Sequence, residues 1–236
     1  MDAALVSYTL ADGLATLAMD DGKANVMSLH MLQAIGAALD RAEAEAGAVL
    51  LIGRPGMFSG GFDLAVFKGE PEAQFRMLEA GARMTERLLS FPRPVVAACT
   101  GHAIAMGAFL LLSADVRIGV DQGARLQINE VQIGLTLPHF AIEIARQRLA
   151  PAHFNVAAVT AEPYTPQQAV AAGFLDEVVP ADTLTAAARE RALRLIKLHA
   201  GAFTATKARL RGPTLAALRA AIESDVADWA ARFRSR

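Results

Sequence analysis

Apolar residues recur with two different periods along the chain. Ala48–Ile52 and Val95–Cys99 are short, wholly apolar runs, as is typical of strands buried on both faces. A helical period begins after Ser28, a good N-cap, and is predicted to end at Gly47. The apolar positions of that helix are Met31, Leu32, Ile35 and Leu39. Because buried strands alternate with amphipathic helices, the pattern predicts an α/β fold.

Turn residues and proline positions place the remaining elements. We predict a hairpin of Leu5–Leu10 with Leu14–Met19, helices at Glu72–Ser90 and Ala108–Ser113, and strands at Val116–Val120, Ala124–Ile128 and Phe174–Val179. Pro151, Pro166 and Pro213 are assigned to first turns of helices, where proline is tolerated. Everything beyond Asp182 is predicted to be helical. We therefore expect a core over residues 1–185 and a helical segment over 186–236 that packs on the core or on another subunit.

The amino-acid composition and net charge exclude several classes of protein. The 236 residues are 53% hydrophobic with a mean hydropathy of +0.31, which excludes a disordered chain. A net charge of −1 argues against a nucleic-acid binder, which normally carries a basic face. The single cysteine, Cys99, forbids an internal disulfide and fits a reducing compartment, so a cytoplasmic protein is expected.

Two segments bear on targeting and membranes. The first residues show no basic region followed by an apolar stretch, so no signal peptide is expected. Residues 94–114 are uncharged over the length of a membrane span, but Gly101-His102 and Gly107 interrupt them. A strand, a glycine turn and a buried helix explain this stretch better than a membrane helix does.

Two glycine turns stand in equivalent positions. Phe58–Leu64 contains Gly60-Gly61 and follows the first buried strand, whereas Gly101–Gly107 follows the second. Each turn is expected to lead into a helix, the first beginning near Asp63 as its N-cap. Glycines allow close approach of a ligand to the backbone, and a helix N-terminus adds partial positive charge. Two such turns together can offer two N–H groups to one carbonyl oxygen, as an oxyanion hole requires.

Longer motifs extend this pattern. They are FSGGFDL at 58–64, PVVAACTGHA and GAF with AD within 94–115, INEVQIG at 128–134, and AGFLDEVV at 172–179. In combination they resemble the crotonase superfamily, the enoyl-CoA hydratase/isomerase group, over residues 5–210. The resemblance implies a spiral of ββα units, a helical C-terminal segment used in trimer assembly, and acyl-CoA substrates.

The resemblance also implies roles for individual residues. The thioester oxygen would accept hydrogen bonds from the N–H groups of Phe62 and Met106, although position 106 is usually glycine in this family. The residues implied in holding coenzyme A are Lys23, Ala24, Ser59, Gly60, Gly61, Asp63, Leu64 and Gly107. Coenzyme A is part of the substrate, so no separate cofactor is expected. A homotrimer or hexamer is implied, with no nucleic-acid or membrane partner.

One departure from the family pattern bears on the reaction. Hydratases of this family use two glutamates, and these positions hold Phe109 and Glu130 here. Hydration suits two carboxylates, whereas shifting a double bond needs one that removes a proton from C2 and returns it at C4. Phe109 would also dry the pocket and raise the basicity of Glu130. The pattern Asn129-Glu130-x-x-x-Gly134 is similar to the single-glutamate Δ3,Δ2-enoyl-CoA isomerase branch, which is therefore favoured.

Other possibilities stay open at this point. The alternatives are an enoyl-CoA hydratase, a thioester hydrolase, or an acyl-CoA-binding protein of weak catalysis. His139 is a candidate for the acyl pocket because it follows the Glu130 segment closely. Lys207 and Arg209 are candidates for the coenzyme A phosphates, with a solvated helix face as the ordinary interpretation. The histidines and acidic residues show no metal-ligand spacing, so no metal is expected.

Overall fold

The computed structural model describes the backbone of residues 4–234 and the side chains of residues 4–231. The strands are β1 Val6–Ala11, β2 Leu14–Met19, β3 Ala48–Ile52, β4 Gly56–Ser59, β5 Val95–Cys99, β6 Gly101–Ile104, β7 Val116–Val120, β8 Leu126–Gln127 and β9 Glu177–Val179. The helices are α1 Leu29–Glu45, α2 Pro71–Ser90, α3 Met106–Ser113, α4 His139–Arg148, α5 Pro151–Val159, α6 Pro166–Ala172, α7 Leu184–Ile196 and α8 Ala200–Arg234. Short 3₁₀ turns occupy Val66–Lys68 and Val131–Ile133.

Successive strands are divided between two sheets. Within the described residues, a six-stranded sheet has the order β1-β2-β3-β5-β7-β9, and a three-stranded sheet has the order β4-β6-β8. In three successive units the first strand joins the larger sheet and the second strand joins the smaller one. All pairs except the β1–β2 hairpin are parallel. The chain thus forms the expected crotonase-like spiral of ββα units.

Burial explains why the strand predictions succeed. β3 and β5 are almost entirely buried, because α7 packs on the face of the larger sheet opposite the main core. Their continuous apolar sequence is what a strand covered on both faces requires. β8 and β9 are shorter than predicted. β8 pairs with β6 only through Ala103↔Leu126 and Ile104↔Gln127, and β9 pairs with β7 only through its three residues from Glu177 to Val179.

Three local predictions are wrong. Gly101–Ile104 is strand β6 rather than part of an open loop, so the second turn is confined to Ala105. No helix starts near Asp63, where the chain instead makes the 3₁₀ turn Val66–Lys68 before α2 begins at Pro71. Pro213 lies inside α8 rather than in a first turn. Pro151 and Pro166 do occupy first turns, as predicted.

The C-terminal helix packs on the rest of the protein. α8 has its most extensive contacts with α2 and α4, and its buried apolar positions are Leu215, Leu218 and Ile222. Lys207 of α8 is buried rather than solvated, and its Nζ lies 2.8 Å from Oδ2 of Asp115. Arg211 bonds the other oxygen of Asp115 at 2.8 Å. Asp115 is therefore the centre of a buried ion cluster that ties α8 to the end of α3.

Candidate active site

A cavity of about 320 Å³ opens beside the two glycine turns. Its wall is mostly apolar, and within the described residues Glu130 is its one ionisable side chain. The lining residues are Gly60, Phe62, Leu64, Phe67, Gln74, Leu78, Ala105, Phe109, Asn129, Glu130, Ile133, Leu135, Thr136, Pro138, Phe140 and Trp229. An apolar pocket with a few convergent polar groups is the usual form of a small-molecule site.

The first turn, Gly60–Phe62, is held by two buried polar side chains. Ser59 Oγ donates to the carbonyl of Asn25 at 2.7 Å and accepts the N–H of Gly61 at 3.2 Å. Asn25 is fully buried at φ +47°, and its amide donates to the carbonyl of Met19 at 2.9 Å and of Phe58 at 3.3 Å. With these bonds made, the N–H of Phe62 has no hydrogen-bond partner among the described residues.

The second turn is reduced to a single strained residue. Ala105 has φ +50° and ψ −122°, a conformation that non-glycine residues rarely adopt and that costs about 1–3 kcal/mol. Its N–H donates to the carbonyl of Gln127 at 2.9 Å, which anchors the turn to the end of β8. Met106 is then the first residue of α3, so its N–H has no acceptor within the helix and none elsewhere in the described chain.

The two turns lie in direct contact. A Cβ built on Gly61 would lie 3.0 Å from the Cβ of Ala105 and 3.5 Å from the nitrogen of Met106. A Cβ on Gly107 would lie 2.5 Å from the carbonyl oxygen of Ser59. Since both positions lack side chains, the two turns meet at one end of the cavity, where Phe62 and Ala105 line it. The partial positive charge at this end comes from α3 and not from a helix at Asp63.

Glu130 lines the cavity with one of its carboxyl oxygens unpaired. It is 8% exposed, its Oε2 has no hydrogen-bond partner among the described residues, and none of their ion pairs includes it. Burial raises the pKa of this carboxyl to about 7. The turn that presents it ends at Gly134 with φ +79°, and the N–H of Leu135 returns to the carbonyl of Glu130 at 2.9 Å. A carboxyl with this pKa is suited to accept and return a proton near neutral pH.

Aromatic side chains form part of the cavity wall that contains Glu130. Phe109 and Phe140 meet edge to face with ring centroids 5.9 Å apart. Phe140 and Trp229 meet in the same manner at 6.4 Å. Because Trp229 belongs to α8, the C-terminal helix contributes directly to the cavity.

Comparison with known proteins gives the family. The sequence profile described as enoyl-CoA hydratase/isomerase matches residues 9–235. The chain belongs to this family. A probable enoyl-CoA hydratase from Rhodobacter capsulatus is 31% identical over 208 residues, which are 86% of this chain and 79% of that protein. The chain spans about half the length, 54% and 52%, of the first curated relatives it matches.

Solved structures of family members superpose over nearly their whole length. A family protein from Pseudomonas syringae matches with a TM-score of 0.92 at 46% identity, over 94% of this chain and 96% of the other. An enoyl-CoA isomerase from Mycobacterium tuberculosis matches with a TM-score of 0.91 at 42% identity, over 95% and 98%. Another structure of that M. tuberculosis protein describes it as a probable enoyl-CoA hydratase. The names of relatives thus include both reactions of the family.

The structure brings together part of the site that the sequence predicted for this family. Five of the predicted residues line the cavity, namely Gly60, Phe62, Leu64, Phe109 and Glu130. Ser59, Gly61, Met106 and Gly107 lie behind the wall, in or against the turns. Ala24 accepts the N–H of Gly60 at 2.8 Å, and Asp63 accepts the N–H of Ala65 at 3.0 Å. Lys23 and His139 are exposed, and neither is among the residues that line the cavity.

Sequence reasoning missed three residues of this region. The sequence marks Asn25 only as a polar residue between two apolar ones after Asp20-Asp21-Gly22, which does not indicate that it is buried. Asn129 was noted only within the family pattern, but its Oδ1 is buried at the cavity without a partner among the described residues. Trp229 was detectable only as the single tryptophan, seven residues after Ile222 on one face of a predicted helix.

Two further observations concern metals and membranes. Among the described residues, no three or more His, Cys, Asp or Glu side chains cluster so that they could hold a metal ion. No helix in the described part of the chain combines the length and apolarity needed to cross a membrane.

Proposed function

We propose that this protein is a Δ3,Δ2-enoyl-CoA isomerase, an acyl-CoA enzyme that shifts a 3-enoyl double bond to the 2-position. The observation that carries the proposal is Glu130, a buried carboxyl with one oxygen unpaired, in a cavity whose described wall contains no second carboxylate. Phe62 and Ala105 line the same cavity, and the N–H groups of Phe62 and Met106 have no hydrogen-bond partner among the described residues. The M. tuberculosis relative described as an enoyl-CoA isomerase supports the same reaction.

Glu130 acts as both base and acid. Its carboxylate removes a proton from C2 of the 3-enoyl thioester, and the electron pair moves into the conjugated dienolate. The resulting carboxyl then returns the proton to C4, which leaves the double bond between C2 and C3. No atom is gained or lost, and the carboxylate is regenerated. A pKa of about 7 suits both proton transfers, from C2 and to C4, because the driving force for each is then moderate.

The backbone of the two turns stabilises the intermediate. Charge develops on the thioester oxygen when the C2 proton leaves, and the N–H groups of Phe62 and Met106 donate to that oxygen. Removal of one such donor costs about 10²–10³ in rate in other enzymes. The turn around Gly60 and the adjacent Lys23-Ala24 segment hold the coenzyme A portion. The proposed chemistry draws on these groups and on no separate cofactor.

Apolar walls favour isomerisation over addition of water. Hydration requires a water molecule to be held and deprotonated beside the double bond, which two carboxylates share naturally. Here the corresponding wall is Phe109, which is 1% exposed and packs on Phe140. Exclusion of water also strengthens the electrostatic interactions that the dienolate makes.

The direct test replaces the carboxyl and keeps its shape. Glu130→Gln should lower the rate of 3-enoyl-CoA isomerisation by about 10²–10⁴-fold. Affinity for a saturated acyl-CoA, measured by calorimetry, should stay near that of the wild type. Glu72→Gln, at an exposed carboxylate paired with Arg76, is the matched control and should keep full activity. Undiminished isomerisation by Glu130→Gln would eliminate the proposal.

The second candidate is an enoyl-CoA hydratase. It is favoured by the name of the R. capsulatus relative and by the polar side chains of Gln74 and Thr136 in the cavity wall. The two reactions separate when purified protein is given crotonyl-CoA and a 3-enoyl-CoA in parallel. Fast isomerisation with slow water addition supports the first proposal, and the reverse ratio supports the hydratase. Binding of both without deuterium exchange at C2 in D₂O would indicate an acyl-CoA-binding protein instead.

We further propose that the chain assembles into a homotrimer or hexamer, as the family resemblance implies. Large apolar side chains remain exposed on α5 and α8, with Val159 at 59% and Leu210 at 78%. Light scattering coupled to size-exclusion chromatography measures the mass directly. A monomer at micromolar concentration would contradict this assembly without affecting the isomerase proposal.

A further inference from the structure

The inner wall of the cavity is built by a helix remote in sequence from the glycine turns. Phe109 and Phe140 line this cavity together with Glu130 and pack edge to face on each other, and Trp229 of α8 packs edge to face on Phe140. Trp229 is half-buried and lines the same cavity as Glu130. An acyl chain that starts at the two turns and passes Glu130 therefore meets the indole of Trp229.

Asp225 fixes the position of this wall. It lies one helical turn before Trp229 and is 3% exposed. Its two carboxylate oxygens accept the N–H groups of His139 and Phe140 at 2.9 and 2.8 Å. These are orphan donors of the first turn of α4, whose own N-cap, Pro138, offers no side-chain bond. Asp225 thus caps α4 from another helix, and it ties Trp229 and Phe140 into one unit.

The volume of the cavity limits what can enter. A water molecule occupies about 30 Å³ of liquid. At about 320 Å³ the cavity has room for about ten non-hydrogen atoms on that measure. An octanoyl group with its carbonyl oxygen fills this space, whereas a palmitoyl group exceeds it.

We propose that Trp229, positioned by Asp225, closes the acyl end of the cavity and restricts the protein to acyl groups of octanoyl length or shorter. The proposal rests on the proposed function in taking the cavity as an acyl-CoA site. Trp229 is the residue that determines specificity, since it stands where the chain would continue. Asp225 is a positioning residue that acts through it.

The test measures binding of saturated acyl-CoAs, which cannot isomerise. Butanoyl-, octanoyl-, dodecanoyl- and palmitoyl-CoA are titrated by calorimetry into the full-length wild type, Trp229→Ala and Trp229→Phe. The wild type should bind octanoyl-CoA at least about tenfold more tightly than palmitoyl-CoA, because one misplaced methylene alone is worth about tenfold or more. Trp229→Ala should lose this discrimination, and Trp229→Phe should retain part of it. Ser224→Ala, at an exposed residue of the same helix, should behave as the wild type.

The positioning role of Asp225 is tested by a measurement that a general loss of stability would not change, namely a ratio of dissociation constants. Asp225→Asn retains one acceptor and loses the other, so the ratio of the palmitoyl to the octanoyl dissociation constant should fall towards that of Trp229→Ala. Asp228→Asn, an exposed change on the same helix, should leave the ratio unaltered. An unaltered ratio in both Asp225→Asn and Trp229→Ala would overturn the proposal.

Two further outcomes keep this proposal separate from the isomerase proposal. Trp229 is the single tryptophan of the chain, so its fluorescence should change with octanoyl-CoA and much less with butanoyl-CoA. Equal changes with both would contradict contact between the chain end and the indole. Length discrimination that depends on Trp229, found without any isomerisation, would support this inference and refute the proposed reaction. Isomerisation with no length discrimination would do the opposite.

Discussion

Gly61 packs against Ala105 so closely that a Cβ on Gly61 would lie 3.0 Å from the Cβ of Ala105 and 3.0 Å from the carbonyl oxygen of Ile104. Gly61 also has φ +94°, which side chains rarely tolerate. The contact joins the two turns whose N–H groups we propose as the oxyanion hole. The absence of a side chain at Gly61 is therefore a requirement of the site as well as of the backbone.

Gly61→Ala should separate the two turns and lower kcat by about 10²–10³-fold, the cost of losing one oxyanion donor. The measurement is isomerase kinetics combined with thermal unfolding. Gly123→Ala is the matched control, because Gly123 has φ +73° with nothing within 4 Å of a built Cβ. It should lose stability through its backbone conformation but keep its kcat. Equal losses of kcat in the two variants would argue against a role for the contact.

The pH dependence of the reaction rate should reflect a single ionisation, that of Glu130. Burial raises the pKa of Glu130 to about 7. Because the carboxylate form is the base, kcat/KM should fall as this one group becomes protonated below about pH 7. The apparent pKa is read from initial rates measured across the pH range with a 3-enoyl-CoA. An apparent pKa close to that of an ordinary exposed glutamate would contradict the burial that we attribute to this group.

The raised pKa of Glu130 also means that its ionised form destabilises the folded state. Its folded pKa of about 7 lies above the ordinary value of 4.5, so the folded state holds this proton more tightly than the unfolded state does. Wild-type stability therefore declines relative to Glu130→Gln as pH rises from about 4.5 to 7, and the difference is constant above that range. The shift corresponds to about 3 kcal/mol. Urea unfolding of both proteins should show that the free energy of unfolding of Glu130→Gln, relative to the wild type, is higher at pH 8 than at pH 5.

Ser59→Ala should damage the first turn through two groups at once. Ser59 is fully buried, and its loss leaves the carbonyl of Asn25 and the N–H of Gly61 without their partner. The expected destabilisation is about 1–3 kcal/mol, with a lower kcat because the turn that carries Phe62 loosens. Ser90→Ala removes an exposed hydroxyl that bonds only within α2, so its effect should stay within about 0.5 kcal/mol. Chemical denaturation and kinetics on the same preparations distinguish the two.

Buried strands were the most predictable part of the fold. β3 and β5 match their predicted bounds, because only apolar residues are stable between two covered faces. The glycine turns were recognisable for a similar reason, since close contacts such as that of Gly107 with Ser59 exclude a side chain. Glu130 was identifiable only through the family pattern. Nothing in its local sequence indicates that a strand end and a 3₁₀ turn would bury it.

The errors lie where tertiary contacts outweigh local signals. The pair Gly212-Pro213 predicts a helix boundary, yet α8 continues through it while packing on α2 and α4. The helix expected at Asp63 is replaced by a short turn, where Gln74 of α2 donates to the carbonyl of Gly69 at 2.9 Å. Trp229 reaches the cavity through contacts between α8 and α4. No periodicity within a single helix can specify which cavity such a residue will enter.

The ion cluster around Asp115 should be the most sensitive site outside the cavity. Asp115 is the carboxylate that pairs with both Lys207 and Arg211, and burial lowers the pKa of Lys207 to about 8 in spite of that pairing. Asp115→Asn would leave two buried cations without a carboxylate partner, and the expected destabilisation is about 3–5 kcal/mol. Asp40→Asn removes an exposed partner of Arg87 and should cost less than about 1 kcal/mol.

A second variant separates the charge effect from a packing effect. Asp115→Asn combined with Lys207→Met removes one of the stranded cations and fills its volume with an apolar side chain. If uncompensated charge causes the loss, the double variant should recover part of the stability lost by Asp115→Asn alone, as measured by urea unfolding at pH 7. Additive losses would instead mean that Asp115 acts mainly through its hydrogen bond to the N–H of Val95 at 2.8 Å. In that case Lys207 would stabilise the start of α8 independently of the carboxylate.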